Sequence, residues 1–249
     1  MTDASDAEQG GARQPRLSFG DPPADFRRQA FVAVDAAADA LSFADAWIKS
    51  DAGFLAICGP DGSGKTHLGR ILCAEFGEPG ADADCLTASA PVDVVALLDK
   101  GARFVFVDDA HCAPKPQDLV DFLIAAAAAG LRVAVAGAGA PADWARGLKD
   151  LETRLEAMPR VTMAPPGEAL LQALIAKLFQ DRQLDVSADV VRYAAERLPR
   201  RFDAARAFVA AADGMANERQ GPVTKALARQ AIEALAEAPT GGDAPGVNS

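Results

Sequence analysis

Residues 59–67 read GPDGSGKTH, preceded by FLAIC at 54–58 and followed by LGRILCAEFG at 68–77. The first flank is short, continuous and apolar, as a strand buried on both faces must be. The second flank spaces Leu68, Ile71 and Leu72 three and four residues apart, the period of one helix face. A glycine-rich turn between a strand and a helix lets successive backbone N–H groups face one point, a nest for an anion. The helix N-terminus adds positive potential at the same place. Gly59, Gly64, Lys65 and Thr66 satisfy G-x-x-x-x-G-K-[ST] without a mismatch. In this pattern Lys65 reaches the outer phosphates of a nucleotide and the Thr66 hydroxyl takes Mg²⁺. With Gly62 and His67 they form the expected phosphate site, with ADP or ATP and Mg²⁺ as the expected cofactors.

Outward from this loop the chain alternates. ADCLTAS, RFVFVDD, LRVAVAG and RVTMAP read as further strands. PVDVVALLDK, PQDLVDFLIAAAAAG, PADWARGL and LETRLEAM read as the helices between them, the second starting after Pro116 and stopping at Gly130. Strands alternating with helices predict a P-loop α/β domain, a parallel sheet with helices on both faces, over residues 26–165. After Pro165-Pro166 only the helical period remains, through GEALLQALIAKLFQDRQL, SADVVRYAAERL, RRFDAARAFVAAADGMANE and TKALARQAIEALAEA. This predicts a small all-helical domain over 166–238, with Ser187 and Thr224 at N-cap positions. Residues 1–25 and 239–249 are polar and rich in Gly, Pro and Asp, and are expected to remain disordered.

The strand RFVFVDD ends in two acids. An acidic residue at a strand end beside the phosphate loop can hold Mg²⁺ through water, which is the expectation for Asp108. Asp109 is the expected group for orienting an attacking water.

Composition narrows the function classes. The formal net charge is −10, so the chain lacks the basic balance of a protein that coats DNA. No continuous run of about 20 apolar residues reads as a membrane span. The N-terminal MTDASDAEQGGARQPR lacks the apolar segment of a secretory signal, so a cytoplasmic location is expected. Cys58, Cys73, Cys85 and Cys112 lack metal or disulfide spacing and read as small core residues.

GPDGSGKTHL, VFVDD and the helical C-terminal segment together resemble AAA+ proteins of the bacterial initiator DnaA group. Within that group the resemblance is greatest to the Hda family of DnaA-like regulatory inactivators, from Gln14 to about Ala236. The resemblance implies an AAA+ domain followed by a helical lid. It implies that Phe31 and Val32, in RQAFVAV, line the adenine pocket. Arg154, in LETRL, stands where the family carries an arginine finger. In RLPRRFDAA, Arg200 fits the lid arginine that senses nucleotide, and Arg201 is the alternative. One departure is plain. After the fourth strand these ATPases place a polar sensor near the outermost phosphate, whereas here the run is VAVAGAGAP, with Ala136 and Ala138 at that place. Neither side chain can hydrogen-bond water or phosphate, so weak or absent hydrolysis is expected.

The head carries QPRLSF, which resembles the Q-x-x-L-x-F peptide that binds the DNA polymerase sliding clamp. Gln14 would supply an amide and Leu17 and Phe19 two apolar anchors, over 14–19. The implied function is an adaptor that docks on the clamp (the polymerase III beta subunit) and stimulates ATP hydrolysis by DnaA, limiting over-initiation of replication. Self-association is a further expectation. The initiators read duplex DNA through a domain after the lid; the sequence reaches Ser249 without one, so direct sequence-specific DNA binding is not expected. The alternative reading is an autonomous AAA+ ATPase of replication, a helicase loader or short initiator. A nucleotide kinase shares the loop but fits the helical segment and Arg154 poorly.

Overall fold

The computed structural model describes residues 35–76, 84–87 and 93–237. The expected clamp peptide with Gln14, Leu17 and Phe19, the expected adenine-pocket residues Phe31 and Val32, and the two polar termini lie outside the described residues. No helix among the described residues is long and apolar enough to cross a membrane.

The chain begins with helix α1 (Asp35–Ile48), strand β1 (Phe54–Cys58) and helix α2 (Lys65–Phe76). Then follow β2 (Asp84–Thr87), α3 (Val94–Asp99), β3 (Phe104–Asp108), α4 (Pro116–Ala128) and β4 (Arg132–Gly137). Two short helices, α5 (Pro141–Trp144) and α6 (Lys149–Glu156), lead into β5 (Arg160–Thr162). The five strands form one sheet in the order β2-β3-β4-β1-β5, and every pairing is parallel. The predicted α/β class with helices on both faces is therefore observed. Helix α1 is an addition that the strand-and-helix reading omitted.

Strand alternation explains both faces. On one face Leu55 and Ile57 of β1, Phe104 and Phe106 of β3 and Ala134 and Ala136 of β4 pack with α1 and α2. On the other, Ala56 and Cys58, Val105 and Val107, and Val133 and Val135 pack with residues of α3 to α6. Burying a large apolar side chain contributes about 1.5–3 kcal/mol, so the doubly covered β1, β3 and β4 anchor the domain. Helix α2 lies close to β3: a Cβ at Gly69 would sit 2.1 Å from Phe106 Cζ. That close approach fixes the start of α2, and hence Lys65 and Thr66, against the end of β3.

Helices α7 (Glu168–Asp181), α8 (Ala188–Ala195), α9 (Phe202–Glu218) and α10 (Lys225–Glu237) build a separate core. Leu171, Ile175, Phe179, Val190, Ala194, Phe208, Val209 and Ala228 lie in it. Thr224 Oγ1 accepts from the Leu227 N–H at 3.3 Å and caps α10. Ser187 holds the cap position of α8, but its side chain makes no capping hydrogen bond. Pro116 is itself the first residue of α4, where its missing N–H costs nothing.

Candidate nucleotide site

The loop from Gly59 to Gly64 links β1 to α2 at the carboxyl ends of the parallel strands, where α/β sheets hold their ligands. Gly59, Gly62 and Gly64 have φ of 152°, 69° and 97°. L-residues with side chains rarely adopt these values, so the loop's backbone needs its glycines. At Gly59 space agrees, since a Cβ would lie 2.4 Å from the Met163 carbonyl oxygen.

Lys65 is 5% exposed, and its Nζ donates to the carbonyls of Gly59 at 3.0 Å and Pro60 at 2.9 Å. Asp61 lies 3.9 Å from the same ammonium. The cation is thus folded back on its own loop, poised where an anion would sit. Ser63, 1% exposed, leaves its Oγ without a hydrogen-bond partner. An orphaned buried hydroxyl in a cradle of backbone N–H groups is what a bound phosphate would satisfy. His67 follows at the start of α2, half-buried.

Thr66 Oγ1 donates to Asp108 Oδ2 at 2.6 Å, joining the start of α2 to the end of β3. Asp108 is 8% exposed, and its Oδ1 accepts from the Asp109 N–H at 3.0 Å. Burial raises the Asp108 carboxyl above its ordinary pKa; the Thr66 hydroxyl works against that rise, and neighbouring Asp109 adds to it. A carboxylate whose charge is penalised in this way is one that a divalent cation would stabilise. Thr66 and Asp108 offer hard oxygen donors, the kind Mg²⁺ takes alongside water and phosphate. The residues present therefore fit a nucleotide phosphate chain with Mg²⁺. The bound ion would neutralise phosphate charge, and Lys65 and the loop amides would orient the chain. Asp109 is exposed and takes a left-handed conformation, φ 53°, turning the chain out of β3. Asp tolerates that region better than most residues do.

The end of β4 is filled in a way the sequence did not disclose. Ala136 is fully buried. The Ala138 N–H donates to His111 Nδ1 at 3.2 Å, and the Ala138 carbonyl accepts from Trp144 Nε1 at 2.6 Å. The Trp144 ring lies against Gly137, where a Cβ would meet it at 2.6 Å. Arg146, also left-handed at φ 46°, donates from Nη2 to the His111 carbonyl at 2.8 Å. His111 thus ties the turn after Asp108 and Asp109 to β4 and to the segment before α6. The lone histidine after two acids was the available signal.

The C-terminal helices meet the loop at α9. The Phe202 N–H donates to the Gly62 carbonyl at 2.9 Å, and the Phe202 ring lies beside Gly64. Arg201 stands over Gly62, where an added Cβ would come within 2.7 Å of Arg201 Cβ and 2.6 Å of Asp203 Oδ1. Arg200, the expected lid arginine, is exposed, and the loop's observed neighbour is the alternative, Arg201. Arg154 lies on α6 with its side chain 40% exposed, its Nε donating to Asp150 Oδ1 at 3.1 Å.

No protein-family model matches the chain, and no curated protein matches it. Solved structures do match. Domain III of the replication initiation protein DnaA from Thermotoga maritima superposes with a TM-score of 0.73 at 15% identity, covering 88% of this chain and all of that one. The RuvB Holliday junction branch migration motor of Thermotoga maritima gives 0.63 at 16% identity, over 84% of this chain and 72% of that one. A structure described as a DNA replication initiation factor gives 0.64 at 15% identity, over 78% and 66%. At such identities the likeness is one of fold. Taken with the strand order and the phosphate loop, it establishes that this chain has the fold of an AAA+ P-loop NTPase.

Proposed function

We propose that this chain is a regulatory nucleotide-binding protein of bacterial chromosome replication. It holds ADP or ATP with Mg²⁺ as a structural state rather than as a fuel. It docks on the sliding clamp through Gln14, Leu17 and Phe19, and it presents Arg154 to the nucleotide held by DnaA. Hydrolysis of that nucleotide inactivates the initiator. The adenine pocket includes Phe31 and Val32, and a lid arginine, Arg200 or Arg201, faces the phosphates. The observation that supports this reading is a contrast: Lys65, Thr66 and Asp108 lie together at the glycine loop with chemistry that suits phosphate and Mg²⁺, while Ala136 and Ala138 bring no polar side chain to the end of β4. The fold likeness to DnaA domain III supports it.

A second reading is an autonomous ATPase. It is favoured by His111, which places an imidazole at the end of β4, and by the fold likeness to a branch migration motor. One assay separates the two: ATP hydrolysis by purified DnaA, measured with and without this protein, clamp and DNA. The regulatory reading expects DnaA turnover to rise only when the protein and clamp are both present, and the protein alone to turn over almost no ATP. Fast turnover by the protein alone, without effect on DnaA, would overturn it.

A further inference from the structure

The N-terminus of α9 carries an ion pair directly over the phosphate loop. Arg201 Nε donates to Asp203 Oδ1 at 3.0 Å, and Arg201 Nη2 donates to Asp203 Oδ2 at 2.5 Å, a two-pronged pair. The pair faces Gly62, whose missing side chain makes the room: a Cβ there would meet Asp203 Oδ1 at 2.6 Å and Arg201 Nε at 2.9 Å. The hydrogen bond from the Phe202 N–H to the Gly62 carbonyl fixes the helix end in that place. Asp61, on the loop itself, adds its field to Arg201.

We propose that Asp203 is the resident counter-anion of Arg201, and that a nucleotide phosphate entering the loop displaces it. The inference rests on the nucleotide-binding reading. A guanidinium that pairs with a carboxylate through two parallel hydrogen bonds offers the same fork to two phosphate oxygens. The exchange is easy because both partners lie near the surface, with side chains 47% and 55% exposed. Exposed ion pairs are weak, so releasing one costs little. Asp203 also accepts from the Ala204 N–H at 2.8 Å, so after release its carboxylate retains a partner at the helix end. The ion pair therefore acts as a competitor of the ligand. It lowers affinity in the empty state and links the start of α9 to the occupancy of the loop. Asp203 is thus a positioning residue that touches Arg201, not the nucleotide.

The test is calorimetry with MgADP on the full chain and five variants. Asp203→Asn keeps an oxygen for Ala204 but loses the charge, and should tighten ADP binding roughly two- to fivefold, the worth of an exposed pair. Asp203→Glu restores the anion and should return affinity to that of the wild type. The gain must also depend on Arg201: introduced into an Arg201→Ala background, Asp203→Asn should have no effect. Unchanged or weakened binding in Asp203→Asn would overturn the proposal. So would a gain that persists without Arg201, which would reduce Asp203 to one more negative charge near the phosphates. If the wild type binds no ADP, or Lys65→Ala binds it equally well, the nucleotide-binding reading itself fails, and that result is distinct from the others.

Discussion

Asp108 shows what a site costs a fold. Its carboxylate sits at the end of a strand buried on both faces, 8% exposed, with the Thr66 hydroxyl and the Asp109 amide as hydrogen-bond donors. Burial nevertheless raises its pKa, so the native state binds its proton more tightly than the unfolded chain does. The sign follows. Stability from this group is fully present below the unfolded pKa and falls as pH rises from about 4 through the higher native value. At neutral pH the ionised carboxylate is a liability unless a cation joins it. Asp108→Asn should therefore raise the melting temperature of the protein measured without Mg²⁺ and nucleotide, while the stabilisation gained by adding MgADP should shrink. Thermal melts with and without MgADP read both effects, and a lower melting temperature without ligand would contradict the argument. The residues of this site were largely legible because their spacing is dictated by chemistry: Lys65 and Thr66 stand at the loop's end, and Asp108 ends its strand. His111, Trp144 and Asp203 were not legible. Each acts through a contact distant in sequence or through an ion pair, and neither leaves a periodic trace.

Among the elements, α1 was the one omitted, and its attachment explains why it is stable. Its face at Leu41, Ala44 and Trp47 belongs to the core, but in sequence DAAADALSFADAWI is dominated by alanine, which marks no face strongly. The helix is secured by a residue of β4. Arg132 donates from Nη1 to the Ile48 carbonyl at 2.9 Å and from Nη2 to the Trp47 carbonyl at 2.6 Å and the Ala52 carbonyl at 3.2 Å. Its guanidinium also lies over the Trp47 ring, 4.3 Å from the centroid. A cation at the C-terminus of a helix meets the carbonyls that have no partner within it. Burial lowers the Arg132 pKa, with Asp51 opposing, and the side chain remains charged. Arg132→Leu would leave the Ile48 and Ala52 carbonyls without this donor, while the Trp47 carbonyl keeps the Ser50 N–H and hydroxyl. It should cost about 2–4 kcal/mol, because bonds to a charged group are worth more than neutral ones and abandoned acceptors pay desolvation. Urea unfolding measures this directly, and a loss below about 0.5 kcal/mol would mean that water replaces the arginine at no penalty. The strands, by contrast, were legible throughout, because Phe104 to Asp108 and Arg132 to Gly137 are apolar runs bounded by turns.

At the scale of the whole molecule, the site and the proposed reactive arginine belong to different parts of the surface chemistry. Lys65, Ser63 and Asp108 are buried. Arg154 is half-exposed on α6 and, among the described residues, pairs with Asp150, four residues back on the same helix. Such a pair is worth about 0.3–0.5 kcal/mol, so the guanidinium can be drawn away by a stronger anion. Helix α6 packs on α5, and α5 is joined to the turn after Asp109 through Trp144 and His111. A continuous set of contacts thus runs from the turn after Asp108 and Asp109 toward the helix that carries Arg154. On the proposed reading, Arg154 serves the nucleotide of a DnaA molecule, where an arginine supplied in trans is worth roughly 10³–10⁵ in rate. Arg154→Ala should then leave MgADP affinity and clamp binding at wild-type levels and reduce DnaA hydrolysis to its unstimulated rate. Arg154→Lys should not rescue it, because an ammonium lacks the planar fork that fits two phosphate oxygens. Calorimetry, clamp capture and single-turnover hydrolysis by DnaA measure the three quantities separately. Stimulation that survives Arg154→Ala would remove this residue from the mechanism, and a variant that slows only the protein's own turnover would make the chain a motor whose arginine serves a second copy of itself.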